Sequence, residues 1–261
     1  MVLASLSSPS LLGPALLEKA RGQGALGAFV IELPNLATVR ALAGAGFDFV
    51  VIDTEHSVFA FDVVEPLVLC AQSLGMAALV RVWGRDQGLI GKALETGANG
   101  VMVPHVDDIE RARDVVRETR FPPAGGRGFA PLLRYDALQQ SKARIGEATV
   151  VIVQIEGLEG LAAAREIAAI DGIDGIFIGT HDLALSLGVG PEDPKVLEAA
   201  AALGGSLPPR CVRGVYIDRV EKSAEWAGGG YRMQCVSFDG RMLANAARQI
   251  ATDYFTTGAA R

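Results

Sequence analysis

The stretch at residues 100–119, GVMVPHVDDIERARDVVRET, contains one complete copy of the unit that decides the fold. It opens on an apolar run, as expected of a parallel strand that is covered on both faces. Asp108 then stands where a helix needs an N-terminal cap, and apolar residues recur after it at helical spacing. The stretch therefore predicts a β-strand followed by an α-helix.

The same alternation runs through the rest of the chain. Further strands are predicted at residues 26–32, 47–54, 77–82, 149–155, 175–179, 211–217 and 233–238. Helices are predicted at residues 36–45, 61–74, 86–96, 160–169, 194–203, 219–227 and 241–255. Several of these helices are followed by a glycine, the residue that most easily adopts the left-handed backbone conformation of a C-terminal cap: Gly46, Gly75, Gly97 and Gly172. Eight βα units in about 250 residues favour one (β/α)₈ barrel, with its active site at the carboxyl ends of the strands.

An open doubly wound sheet is the alternative architecture. It requires a glycine-rich phosphate loop after the first strand, whereas residues 31–35 read IELPN. We therefore predict a single domain over residues 1–261, with a lead-in segment and short helix at residues 1–22. The terminal helix at 241–255 is apolar-striped, and packing on its own barrel is the default expectation.

Composition argues against several classes of protein. The formal net charge of −6 disfavours nucleic acid, which rewards clustered Lys and Arg. No apolar run reaches the roughly 18 residues of a membrane span, and no basic segment of a signal peptide opens the chain. The three cysteines lack a Cys-x-x-Cys pattern, which indicates core thiols. We expect a cytoplasmic protein that binds neither nucleic acid nor membrane.

Charged and polar residues follow five of the predicted strands. The second strand ends in DTEH at 53–56, the third in Arg81 and the fourth in PH at 104–105. The fifth ends in QIE at 154–156 and the sixth in GTHD at 179–182. In a barrel these ends meet at one mouth. An acid pair, an arginine and all three histidines together predict a catalytic site there.

Glu156 and Asp182 follow adjacent strands, so both carboxylates can reach one hard cation. Two carboxylates with water and substrate oxygens suit Mg²⁺ or Mn²⁺. The alternative is that each acid caps the following helix, and the pairing favours the metal.

His56 is a natural general base because an imidazole can be neutral near pH 7. Asp53 or Glu55 could fix its tautomer. Arg81 cannot lose its proton, so it suits an enolate or a carboxylate; its alternative role is to partner a buried barrel acid. His105 is interpreted as a residue that supports the catalytic residues without contacting the substrate.

The lysines distinguish between two mechanisms, one through a covalent imine and one through a metal-stabilised enolate. A Schiff-base mechanism needs a lysine at the mouth. None of the lysines falls at a predicted strand end: Lys19, Lys92, Lys142, Lys195 and Lys222. A metal-stabilised enolate is therefore preferred over an imine.

Five motifs in order give the chain its resemblance to a known family. They are AGAGFDFVVIDTEH, LVRV, RFPPAGGRG, VQIE and GIDGIFIGTHDL. The chain resembles the HpcH/HpaI aldolases, the class II pyruvate aldolases that include 4-hydroxy-2-oxoheptanedioate aldolase and 2-dehydro-3-deoxyglucarate aldolase. The resemblance is strong over residues 27–187 and looser beyond.

The resemblance implies roles for residues already singled out. His56 would be the base, Arg81 would stabilise the transition state, and Glu156 and Asp182 would bind the metal, which is Mg²⁺, Mn²⁺ or Co²⁺. The substrate would contact the Gln154 side chain and the segment Gly179, Thr180, His181 and Asp182, whose backbone would hold the pyruvate carboxylate.

Two positions depart from a simple transfer of those roles. In the family, an acid that raises the basicity of the histidine aligns with Glu95. The expected catalytic residues are therefore His56, Arg81, Asp53 and Glu95. The strand map, however, puts Glu95 away from the mouth of its own barrel. The family usually has a small residue or proline near position 181, so the bulk of His181 bears on substrate choice.

The resulting hypothesis is a metal-dependent class II aldolase that cleaves 4-hydroxy-2-oxo acids to pyruvate or hydroxypyruvate and an aldehyde through a metal-bound enolate. Its partners would be the 2-oxo acid, the aldehyde and other copies of itself, since the family tends to form hexamers with exchanged C-terminal helices; a trimer is the other expected assembly. The alternatives are an acyl-CoA lyase of the citrate lyase β-subunit type, a zinc-dependent barrel hydrolase and a non-catalytic binding barrel.

Overall fold

A computed structural model describes residues 11–83, 88–130, 142–204 and 207–257. Eight parallel strands form a closed barrel in chain order, and the last pairs with the first. The strands are β1 (Ala25–Val30), β2 (Phe49–Asp53), β3 (Ala77–Arg81), β4 (Gly100–Val103), β5 (Val150–Ile155), β6 (Gly175–Ile178), β7 (Val212–Ile217) and β8 (Met233–Phe238). The predicted (β/α)₈ barrel is confirmed.

Helices alternate with these strands. They are α1 (Leu12–Arg21), α2 (Leu36–Gly44), α3 (Phe61–Ser73), α4 (Leu89–Glu95), α5 (Ile109–Thr119), α6 (Lys142–Ala148), α7 (Leu158–Ala169), α8 (Thr180–Leu187), α9 (Pro194–Gly204), α10 (Ser223–Gly228) and α11 (Asp239–Thr256). A 3₁₀ turn, Val220–Lys222, precedes α10. Asp108 caps α5 by accepting from the Arg111 amide, and Asp193 accepts from the Lys195 amide at the start of α9.

Alternation along the strands divides the apolar residues into two cores. One face of each strand packs under the surrounding helices, as Val50, Ile52, Ala78 and Val80 do. The other face fills the barrel interior, which contains Phe49, Val51, Leu79, Met102, Ile152, Phe177 and Met233. The next inward position on β2 is Asp53 and on β3 is Arg81, so the polar site begins directly above the interior core.

The two ends of the barrel are built differently. α1 closes the amino-terminal end, since Leu12, Leu16, Leu17 and Ala20 join the interior core. This confirms the described part of the predicted lead-in helix; residues 1–10 lie outside the described residues. The carboxyl ends of the strands therefore form the open mouth.

The structure adds elements to those predicted. α8 begins directly after β6, in a stretch treated only as a strand end, and α6 precedes β5. The helix predicted at 86–96 is described as the shorter α4, and residues 84–87 lie outside the described residues. The irregular stretch at 121–135 is described only as far as residue 130.

Candidate active site

A cavity of about 390 Å³ opens at the barrel mouth. Aromatic and aliphatic side chains form one part of its wall: Phe29, Ile31, Tyr216 and Phe238. Polar side chains form the rest and include most of the predicted site: His56, Arg81, Gln154, Glu156, Thr180, His181 and Asp182. Arg241, which was not predicted, also lines the cavity. A concave site that combines apolar walls with convergent polar groups is typical of small-molecule binding.

Arg81 and Asp53 form a buried ion pair at the base of the mouth. Their Cα atoms are register partners on β3 and β2. Arg81 Nε and Nη2 donate to the two Asp53 carboxylate oxygens over 2.9 and 2.6 Å. Burial opposes the charge of Arg81, but the Asp53 hydrogen bond raises its pKa. Arg81 is thus both the partner of a barrel acid and part of the cavity wall, which combines the two alternatives derived from the sequence.

His56 lies at the cavity edge beside Glu55. Its Nε2 is 3.7 Å from Glu55 Oε2, which is too long for a hydrogen bond. Burial, together with the charge of Arg81, lowers the pKa of His56, so the neutral imidazole is favoured near pH 7. Asp53 accepts from the Glu55 and His56 amides but is otherwise engaged with Arg81. Of the two acids expected to orient the ring, Glu55 is therefore the closer candidate.

Glu55 itself is a buried acid between Arg81 and His105. Its Oε2 is 3.4 Å from Arg81 Nε, and its Oε1 is 3.6 Å from His105 Nε2. Burial raises the pKa of Glu55 to about 7 despite Arg81. The carboxyl group can thus exist in either protonation state near neutrality.

Glu156 is held by contacts on both of its oxygens. Gln154 Nε2 donates to Oε1 over 3.1 Å, and the His105 amide donates to Oε2 over 3.0 Å. His105 adopts a left-handed φ of 51°, a conformation uncommon for residues other than glycine, and its ring Nδ1 lies 3.3 Å from Oε2. His105 therefore contacts Glu156 through both its amide and its ring.

Gly179 leaves space for the Glu156 carboxylate. A Cβ atom at Gly179 would lie 2.7 Å from Glu156 Cγ and would collide with Oε1. The backbone φ of Gly179 is −82°, so the requirement is steric and not conformational. Asp182 lies in the first turn of α8, three residues on, and lines the same cavity.

The Glu156–Asp182 pair fits a divalent cation. Burial raises the pKa of Glu156, and the nearby charge of Asp182 adds to this rise, while His105 and Arg81 oppose it. Within the described ranges, no group of three or more His, Cys, Asp or Glu side chains could hold a metal. The protein would therefore supply two oxygen ligands, as Mg²⁺-type sites that retain water do. Gln154 Oε1 is buried without a partner in the described structure and adds a free acceptor beside the pair.

A second polar network forms the opposite wall. His181 Nε2 lies 2.9 Å from Asp218 Oδ2, and the Tyr216 hydroxyl donates to Asp218 Oδ1 over 2.9 Å. Arg241 also pairs with Asp218 Oδ1. The hydrogen bond to Asp218 raises the pKa of His181, and the same bond lowers the pKa of Asp218. Thr180 donates its hydroxyl to the Tyr216 carbonyl over 3.0 Å.

Sequence reasoning missed this network, although one signal was available. β7 ends in VYID at 215–218, so the strand-end rule that identified Glu156 also selects Asp218. Arg241 gives no such signal, because it lies in a helix. Near the end of β8 the register with β1 shifts by one residue, and Ser237 takes a φ of 65°. The bulge precedes Phe238, which lines the cavity.

Glu95 is not brought to this cavity. It ends α4, and the helices of a barrel end at the face opposite the mouth. Its carboxylate is 3.2 Å from Nη2 of the buried Arg127, in the described part of the loop after α5. The expectation that Glu95 lies away from its own mouth is confirmed.

Comparison with known proteins places this geometry in a family. Residues 28–246 match the family described as HpcH/HpaI aldolase/citrate lyase. The chain belongs to this family. It is a carbon–carbon lyase, as its relatives are. Members of the family are generally dependent on a divalent metal.

Individual relatives agree with the assignment. The chain is 35% identical to a hydroxypyruvate/pyruvate aldolase of Rhizorhabdus wittichii, over 85% of this chain and 91% of the relative. It is also 35% identical to a 4-hydroxy-2-oxo-heptane-1,7-dioate aldolase of Salmonella dublin, over 65% of this chain and 66% of the relative. A crystal structure of a family member from Burkholderia cenocepacia superposes with a TM-score of 0.80 at 31% identity, covering 92% of this chain and 98% of that one.

Within the described residues, no helix is both long and apolar enough to cross a membrane.

Proposed function

We propose that the protein is a class II aldolase that reversibly cleaves 4-hydroxy-2-oxo acids to pyruvate or hydroxypyruvate and an aldehyde. One observation carries the proposal: a carboxylate pair, a buried arginine and a histidine with a lowered pKa line the same cavity. These are a cation site, a fixed positive charge and a base, which together suffice for an aldol reaction.

Glu156 and Asp182 are the residues that would hold the metal, with Mg²⁺, Mn²⁺ and Co²⁺ as candidates. When bound, such a cation polarises the keto group of the substrate and offsets the negative charge that develops after bond cleavage. The cavity walls exclude part of the solvent, so these charges act in a less polar medium than water.

The amino terminus of α8 is proposed to orient the substrate carboxylate. The amides of Thr180, His181 and Asp182 precede the first intrahelical hydrogen bond, which Leu183 donates to Gly179. Unpaired amides and the helix dipole favour an anion at this position. The free Gln154 Oε1 would accept from a substrate hydroxyl, such as the C3 hydroxyl of hydroxypyruvate.

The chemical step is proposed to use His56 and Arg81. His56 removes the proton from the 4-hydroxyl group, and the electron pair of that O–H bond forms the C4=O double bond of the aldehyde. The C3–C4 bond breaks, and its electron pair passes to C3 and the keto oxygen as an enolate. Arg81, held by Asp53, stabilises that negative charge. The proton taken up by His56 is then returned to C3, which releases pyruvate or hydroxypyruvate and restores the base.

The protein is further proposed to work as a homo-oligomer assembled through α11. Leu243, Ile250 and Tyr254 share one face of this helix at spacings of seven and four residues, and all three are more than half exposed. Outside β1 and β8 the surface has a cavity of about 540 Å³, lined by residues that include Leu26, Val220 and Val236. A second copy of the chain that covers the exposed face of α11 and this cavity would remove apolar surface from water. Any role of Glu95 in the chemistry would need such a copy, because it is distant from its own mouth.

The proposed function is tested by metal dependence with a panel of 4-hydroxy-2-oxo acids. EDTA should abolish cleavage, and Mg²⁺, Mn²⁺ or Co²⁺ should restore it. Glu156→Gln and Asp182→Asn should each weaken Mn²⁺ binding measured by calorimetry, whereas Glu159→Gln, an exposed acid in the first turn of α7, should not. Cleavage that survives EDTA, or a lysine adduct trapped by borohydride with pyruvate, would overturn the proposal.

A further inference from the structure

Asp218 joins side chains from three separate elements into one wall of the cavity. Tyr216 comes from β7, His181 from α8 and Arg241 from α11. Both carboxylate oxygens are occupied: Oδ1 accepts from Tyr216 and Arg241, and Oδ2 contacts His181. Because its acceptors are used within the network, Asp218 presents little free anionic surface to the cavity. The catalytic roles proposed above use none of the side-chain groups of this network.

Arg241 is the permanent charge of this wall. Its guanidinium stacks on Phe238, with Cζ 5.0 Å from the ring centroid. A guanidinium has five N–H donors. Among the described residues, Arg241 donates only to Asp218, and 36% of its side chain is exposed. The remaining donors are available to a ligand in the cavity.

Other charges around Arg241 do not cancel its attraction for an anion. Glu32 approaches the neighbouring Gly240, but no ion pair joins it to Arg241 within the described residues. Glu156 lies elsewhere in the cavity wall and is held by Gln154 and His105. The Tyr216 hydroxyl and His181 Nε2 are already engaged with Asp218, so this wall offers the remaining donors of Arg241 and its fixed positive charge. A ring stacked below the guanidinium restricts its motion, which lowers the entropy lost when a ligand binds.

We propose that Arg241, flanked by His181 and Tyr216, is a subsite for an anionic group at the far end of the aldehyde half of the substrate. A carboxylate, sulfonate or phosphate has the required chemistry. Asp218 is the positioning residue of this subsite, since it holds all three side chains. The inference rests on the proposed aldol reaction, in which the α8 amides and the carboxylate pair occupy the 2-oxo acid end. At about 390 Å³ the cavity has room beyond a three-carbon acid.

The test compares aldehydes that differ only in charge. Condensation with pyruvate is measured with succinic semialdehyde against butanal, and with glyceraldehyde 3-phosphate against glyceraldehyde, at saturating Mn²⁺. The two pairs separate a carboxylate from a phosphate ligand. The wild-type protein should favour the anionic member of at least one pair in kcat/KM.

Arg241→Met should lower that selectivity ratio by about 10- to 100-fold, mainly through the KM of the anionic aldehyde, as expected for loss of a charged hydrogen bond. Arg241→Lys should recover part of the ratio, because the charge remains without the planar fork. Asp218→Asn should also lower the ratio, through loss of the contact that holds Arg241. Arg165→Met, which removes an exposed guanidinium from α7, is the control and should keep the ratio.

Two results would overturn the subsite. One is a wild-type protein that shows no preference within either pair. The other is an Arg241→Met variant that loses both members of a pair equally, which would make Arg241 a structural part of the wall. Failure of the proposed function is distinguishable, because no aldehyde of any charge would then react.

Discussion

Asp53 and Arg81 face each other across the register of β2 and β3, and the Arg81 guanidinium donates two hydrogen bonds to the Asp53 carboxylate. Asp53 is fully buried and Arg81 is 7% exposed, so little water competes for either charge. The pair fixes the plane of the guanidinium below the cavity. Arg81 is thus oriented before substrate arrives, which is the condition under which a fixed charge stabilises a transition state most effectively.

Removal of Arg81 should affect both catalysis and stability. Arg81→Ala is expected to lower kcat by about 10²-fold or more. It should also cost about 3–5 kcal/mol of unfolding free energy, since Asp53 would be left buried without a partner. Arg81→Lys should recover only part of kcat, because an ammonium cannot reproduce the bidentate contact. Steady-state kinetics and urea unfolding measure the two effects. A normal kcat with only a lowered Tm would show that Arg81 is purely structural.

Gly179 should be essential for the position of Glu156. In Gly179→Ala the new methyl group would meet Glu156 Cγ at 2.7 Å, so the carboxylate must move. We expect weaker Mn²⁺ binding and reduced kcat, with the fold retained. Gly190→Ala is the matched control, because nothing lies within 4 Å of a Cβ at Gly190. Calorimetric titration with Mn²⁺ measures the effect, and equal affinities in the two variants would contradict this account of the site.

The strands and much of the site are predictable because a barrel repeats one physical pattern. A parallel strand covered on both faces reads as an apolar run, and the residue that follows it faces the mouth. This rule is sufficient for Arg81 and Glu156. It also selects Asp218, since β7 has the same pattern as β5. The ends of most predicted strands differ from the observed ones by one or two residues. The difference is larger for 100–106 against β4, which ends before Pro104, a residue without an N–H, and before His105, which has a φ of 51°.

The contacts between distant elements are not readable from the pattern. The ion pair of Asp53 with Arg81 depends on the β2–β3 register, which cannot be predicted from the sequence of either strand alone. The left-handed backbone conformation of His105 brings its amide to Glu156, and no glycine at this position indicates that conformation in the sequence. Arg241 reaches the cavity from a helix that looks like an ordinary amphipathic segment. These features appear only after the strands are closed into a barrel.

The exposed face of α11 should decide the oligomeric state. Replacing Leu243 and Ile250 together with Glu puts charges on the apolar face and should shift the protein toward smaller species, because burying an unpaired carboxylate is costly. Sedimentation velocity measures the change. Arg248→Glu on the same helix controls for altered charge. A wild-type protein that is monomeric at micromolar concentration would contradict the proposed assembly.

The roles of His56 and His181 should separate in a pH–rate series. The pKa of His56 is lowered from 6.5 by burial and by Arg81, so the free base persists to slightly acidic pH. As pH falls through that lowered pKa the imidazole is protonated, and kcat/KM should fall with it. The acid limb of the wild-type profile should thus lie below pH 6.5. His56→Ala should lose about 10²-fold or more in kcat and lose this limb.

His181→Ala should behave differently, since its ring is bonded to Asp218 and its amide contribution survives the substitution. The pKa of His181 is raised by that bond, so its titration falls on the opposite side of 6.5 from that of His56. We expect the variant to retain Mn²⁺ binding, most of kcat and the acid limb, while KM for the aldehyde changes. Both variants are measured with one aldol substrate at saturating Mn²⁺. If His181→Ala abolished the chemistry while His56→Ala preserved it, the base would be His181, and the cavity wall assigned to the aldehyde would be the catalytic one.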